Sequence, residues 1–191
     1  MGRLSELLIP RIAIAEFPSL LAASTAGALI AGLYGVLHDQ ATYSIGPEYF
    51  TRFKFLQFAY ADLGLGNRVF VGCIGFLATW WVGLIVGWIL GRRCLPGRPR
   101  SQAWRLIGRG LMIVFCCGLL GGWCGYLYGL WRESTGDYSG WEATLAFHHV
   151  SNPWPFLRVG FIHNAGYLGG LLGLILTYLV IRPTAATMPS R

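Results

Sequence analysis

Residues 69–90 read VFVGCIGFLATWWVGLIVGWIL. These 22 residues hold no Asp, Glu, Lys or Arg; Arg68 stands before them and Arg92-Arg93 follow. At 1.5 Å of rise per residue, ~20 apolar residues cross the ~30 Å hydrocarbon core of a bilayer. The run therefore predicts a membrane-spanning helix. Three other segments meet the same test: 17–37, 110–131 and 159–181. Pro18 falls in the opening turn of the first, where a helix tolerates proline. The predicted fold class is all-α, an integral membrane four-helix bundle. Residues 38–68 and 132–158 form loops on one side in this reading, and 91–109 a loop on the other.

The composition of the whole chain agrees. Of 191 residues, 54% are hydrophobic and only 12% charged, against about 25% charged in soluble domains. Mean hydropathy is +0.52. Disorder, collagen and a disulfide-stapled secreted module are excluded. The net charge of +7 is a topology signal. Arg3, Arg11, Arg92, Arg93, Arg98, Arg100, Arg105, Arg109, Arg182 and Arg191 lie on one side, against Arg52, Lys54, Arg68, Arg132 and Arg158 on the other. The positive-inside rule puts the richer side, with both termini, in the cytoplasm. Nucleic-acid binding is not expected, because no soluble domain carries a basic stripe. The first span reads as uncleaved, since its apolar run is too long for a signal peptide. Residues 1–15 read as a short interfacial helix interrupted at Pro10.

The outer loops carry their own signals. Gly46-Pro47-Glu48 starts a helix over 47–60, with Phe50, Phe53, Gln57 and Tyr60 on one stripe, though the alternating pattern over 51–55 also fits a strand. Ser139-Gly140-Trp141-Glu142 reads as a capping box opening a second helix that ends near His149. The halves also echo one another. Leu33-Tyr34-Gly35 matches Leu127-Tyr128-Gly129, Tyr43-Ser44 matches Tyr138-Ser139, Glu48 matches Glu142, and Arg68-Val69 matches Arg158-Val159. The order is kept, which predicts a tandem duplication of a span–interfacial-helix–span unit. GxxxG pairs such as Gly83/Gly87 and Gly169/Gly173 let helix backbones approach closely in lipid.

The stretch from His38-Asp39-Gln40 through Pro47-Glu48-Tyr49-Phe50-Thr51-Arg52-Phe53-Lys54-Phe55, with Thr79-Trp80-Trp81-Val82-Gly83, resembles segments of bacterial multi-pass inner-membrane proteins without known activity. The resemblance covers about a quarter of the chain. It implies a bacterial inner-membrane location and transfers no functional residue.

One candidate site is intramembrane. His163 lies inside the fourth span beside Asn164, and an ionisable residue in lipid is a functional hypothesis by default. Counted in helix turns, Cys73, Cys124, Tyr34 and Tyr128 fall near the same depth. Two readings stand. One is a working polar pocket of these six residues. The other is a histidine bonded to a backbone carbonyl or to Tyr34, with the cysteines as small apolar fillers. A second cluster, His38, Asp39, Glu48, Glu142, His148 and His149, is placed at the outer surface. Its spacing matches no metal motif, so no metal and no cofactor is expected.

Absences narrow the chemistry. All eight acids are placed in loops or at span boundaries. The outer loops hold no cysteine, so a thiol oxidase is excluded. There is no GxSxG, HExxH or P-loop, which points away from an enzyme. Three functions remain. The foremost is a non-catalytic accessory or scaffold protein, partnered with the lipid bilayer and with other membrane proteins or itself through glycine-rich spans. The next is a small transporter or channel subunit with a site between the repeats. The third is a metal or redox protein using His163.

Overall fold

The computed structural model describes residues 12–182. Most of the segment expected to form an N-terminal interfacial helix lies outside the described residues; within it, Ile14–Glu16 form a 3-10 turn. Five α-helices of six residues or more follow, with no strand among the described residues: α1 Phe17–Ile45, α2 Asn67–Cys94, α3 Arg100–Thr135, α4 Glu142–Phe147 and α5 Pro153–Val180. α1, α2, α3 and α5 are long and apolar enough to cross a membrane.

The helices overrun the apolar segments. α1 continues eight residues past Leu37, so His38 and Asp39 belong to the helix and not to a loop. α2 and α3 reach toward each other until only 95–99 separate them. The expected 91–109 loop is therefore a tight turn, and most of its arginines ride on helix ends. Polar residues do not end a helix if they find partners, and these do.

α1 packs along α2, and α3 along α5; contact within each hairpin is far denser than contact between hairpins. Glycine sets that closeness. A Cβ on Gly35 would overlap the carbonyl oxygen of Gly75, and one on Gly27 that of Gly83. In the second hairpin Gly121 meets the Ala165 carbonyl and Gly169 that of Cys117 in the same way. Thr79 Oγ1 donates across the first hairpin to Ala31 O at 2.7 Å.

Two separate cores tie the hairpins together, one at each end. At the arginine-rich end Leu20, Leu90, Cys94, Ile107 and Ile181 pack together. Arg93, 8% exposed, donates to Ile181 O at 2.8 Å and Tyr178 O at 3.1 Å. It thereby caps carbonyls at the end of α5 that have no helical donor. At the aromatic end Tyr49, Phe50, Leu145, Phe156 and Val159 form the second core.

The segment after Pro47 is helical as expected, but Tyr49–Lys54 winds as a π-helix. The wider turn shifts the stripe predicted at 3.6 residues per turn. Tyr49 and Phe50 turn inward while Tyr60 stays 78% exposed. The Ser139 capping box does not form. α4 starts with Trp141 at its N-cap, and the Ser139 N–H donates instead to Asp137 Oδ1 at 2.8 Å.

Candidate functional site

Between the two cores the hairpins part. They leave a cleft of about 720 Å³, lined by α1, α2, α3, α5 and the π segment. That volume lies within the range of small-molecule sites. The walls are mostly apolar: Ile30, Ala31, Phe115, Leu171 and Leu174 are typical. Ile30, Trp81, Ile85 and Leu171 are exposed on its rim, so the cleft opens sideways to the surroundings of the bundle. Its polar groups gather toward the aromatic end: His38, Asp39, Lys54, Gln57 and His163, with the phenols of Tyr34 and Tyr167.

His163 is 5% exposed and Asp39 likewise 5%. The His163 Nδ1 lies 2.9 Å from Val159 O, a carbonyl one turn back on its own helix. Its Nε2 lies 3.2 Å from Asp39 Oδ1 on α1. The same oxygen is 3.2 Å from His38 Nδ1. A carbonyl only accepts, so Nδ1 of His163 carries the donated hydrogen, and in the neutral ring Nε2 presents a lone pair. Nε2 then meets the carboxylate either through a second proton, as an imidazolium, or through a bound cation. The rings around His163 hold it in place. Tyr49 stacks on it at 5.2 Å between centroids, and His38 meets it edge-on at 4.8 Å. Tyr34 in turn packs on His38 at 5.2 Å.

Lys54 extends over the Phe53 ring at 5.0 Å and donates to Gln57 Oε1 at 3.1 Å. Partial burial pushes its ammonium down from the ordinary lysine range, and the charge of Asp39 opposes that shift. It is a cation facing the cleft without a direct bond to Asp39.

The residues singled out from the sequence are therefore redistributed. His163, Tyr34, His38 and Asp39 share the cleft; the first two came from the intramembrane group and the last two from the surface group. Asp39 corrects the reading that all acids sit in loops or at span boundaries: it is a buried carboxylate within α1. Cys73 is half-buried and Cys124 exposed, and neither lines the cleft. Asn164 is exposed, and Tyr128 accepts a hydrogen bond from Arg132 at 3.3 Å away from it. Among the surface residues, Glu48 accepts the N–H groups of Ser151 and Asn152 at 3.1 and 2.8 Å, fixing the approach to α5. His148 Nδ1 meets Arg52 O at 3.1 Å, while Glu142 and His149 are exposed.

Tyr49, Lys54 and Tyr167 were missed as site residues. A signal existed for the aspartate. Gly32, Gly35, Asp39 and Thr42 recur at helical spacing on one buried face, so Asp39 continues the stripe by which α1 packs. No protein-family description matches the chain, and neither a curated protein nor a solved structure does. The function rests on the chemistry of the cleft.

Proposed function

We propose that the protein is a small carrier for a lipid-soluble amphiphile, with one hydrocarbon chain in the cleft and a polar head at the His38–Asp39–His163 end. The observation that carries this reading is the cleft between the hairpins, apolar along its length and polar toward one end. From Asp39 to Gly27 it follows α1 for twelve residues, or about 18 Å at 1.5 Å per residue. That is close to one leaflet of a ~30 Å hydrocarbon core. Its sideways opening suits a molecule arriving from lipid.

Two findings support a carrier over a scaffold. A buried carboxylate in a span is costly unless it has a use, and coupled transport relies on such groups. The tightest glycine pairs are also occupied inside the hairpins, which leaves less small-residue surface for partner helices. The arrangement suits a bacterial inner membrane, with the arginine-rich end and both termini in the cytoplasm. The His–Asp cluster then lies in the outer leaflet. The paired glycine-packed hairpins support a tandem duplication.

The test uses a stearic acid analogue with a photoactivatable diazirine on its chain, added to the purified full-length protein. Crosslinks are expected to map to cleft residues such as Ile30, Trp81 and Leu171. Gly170 lines the cleft, and a Cβ there meets nothing within 4 Å. Gly170→Phe is therefore expected to fill the cleft and remove those crosslinks while leaving the melting temperature nearly unchanged. Crosslinks spread evenly around the bundle, and unaffected by Gly170→Phe, would refute the proposal.

A further inference from the structure

The geometry points to a divalent transition-metal site formed by His38 Nδ1, Asp39 Oδ1 and His163 Nε2, with zinc as the ion its donors fit. This inference is independent of the amphiphile, because the three ligands are assembled whether or not the cleft is filled.

The three atoms come from two helices and lie within 4.8 Å of one another. Two of the three separations are 3.2 Å. For metal–ligand bonds of 2.0–2.2 Å, neighbouring ligands of a tetrahedral ion stand about 3.3–3.6 Å apart. The cluster is thus near ligand spacing along two edges, while the third, between the two histidine nitrogens, is longer and must shorten by about 1 Å for tetrahedral ligation.

The protonation pattern agrees. A ligating histidine usually donates its other N–H to a carbonyl or carboxylate, which fixes the tautomer and aims the lone pair at the ion. His163 does this through Nδ1 and Val159 O at 2.9 Å. Tyr49 stacked on its face then fixes the ring plane. The charge that must lie between Nε2 and the carboxylate is either a proton or a metal ion. Lys54 directs its ammonium to Gln57, so it does not serve as that charge.

The donor set selects the ion. Two imidazole nitrogens and one carboxylate oxygen suit Zn²⁺ and its first-row neighbours, whereas Mg²⁺ and Ca²⁺ prefer oxygen throughout. No cysteine belongs to the group, which disfavours Cu(I). Because all three ligand residues line the cleft, a fourth ligand would reach the ion from it. A metal there presents an open position to an oxygen-bearing head, the pattern of catalytic or substrate-binding zinc and not of a closed structural site.

The experiment uses full-length protein in detergent, stripped with chelator, incubated with ZnCl₂ and desalted before elemental analysis. Retention of about one zinc per chain is expected, with Co²⁺ giving visible absorption bands in its place. His163→Gln and His38→Gln are each expected to lose the metal and the cobalt bands. The double variant His148→Gln/His149→Gln keeps both, since those side chains lie outside the cluster. Gly170→Phe also keeps the metal, which separates failure here from failure of the carrier proposal. Wild-type protein that retains no zinc overturns the inference and leaves a shared proton in the site. So does metal that survives in folded His163→Gln and His38→Gln. If one of these variants fails to fold, the other and the wild-type stoichiometry decide.

Discussion

Gly35→Ala is the sharpest test of how the first hairpin is held. An added Cβ would stand 2.7 Å from the Gly75 carbonyl carbon, where ordinary contact begins near 3.4 Å, and it would also overlap Thr79 Oγ1. Neither neighbour is a flexible chain end: one is backbone, and the other donates across the interface to Ala31 O at 2.7 Å. The carbon alone asks the helices to part by about 0.7 Å, and the Gly75 carbonyl oxygen, closer still, asks for more; a gap of that size forfeits at least about a quarter to a half of the dispersion energy of the atoms on either side. Overpacking of this kind costs about 1–3 kcal/mol. Weakening the interhelical hydrogen bond adds about 0.6 kcal/mol, the average found for such bonds in membrane proteins. A loss of about 1.5–3.5 kcal/mol is expected from the two together. Gly170→Ala, on the same kind of apolar helix but with open space before it, is expected to change stability by less than about 1 kcal/mol. Unfolding in mixed micelles with increasing SDS, followed by tryptophan fluorescence, measures both. Equal stability of Gly35→Ala and wild type would refute the close-packed hairpin.

Arg93→Met is expected to destabilise the bundle by about 2–4 kcal/mol, because carbonyls at the end of α5 lose charge-assisted donors. Arg93→Lys recovers only part of this, since an ammonium lacks the guanidinium fork; the same SDS titration reads both. Orientation is tested with a membrane-impermeant maleimide on intact cells. Thr135→Cys is expected to label and Ser101→Cys to remain protected until the cells are opened, and the reverse pattern would invert the topology.

The four spans are legible in the sequence because lipid demands long charge-free runs, and Val69–Leu90 alone nearly suffices to see it. The helix ends are not legible in the same way. Hydropathy falls at His38, yet α1 continues to Ile45, because Asp39 meets histidines and Thr42 Oγ1 donates back to His38 O at 3.1 Å. The intramembrane pocket was half legible for a related reason. Counting turns gives depth, and His163 and Tyr34 do share one. Depth leaves the direction around each helix open, and there Cys124 faces outward while Cys73 lies off the cleft. The π winding of Tyr49–Lys54, which brings Tyr49 onto His163, has no marker in hydropathy at all.

The uneven cohesion of the bundle has a mechanical consequence. Each hairpin is zipped by backbone-to-backbone contact along its length, whereas the two hairpins are fastened to each other chiefly at their ends. Pulled from one terminus in a single-molecule experiment, such a chain yields in two steps, each releasing a whole helical pair, with the first rupture at the end fastening nearest the pulled terminus. The same division makes the hairpins natural units of membrane insertion, and the cleft comes into being only when the second joins the first.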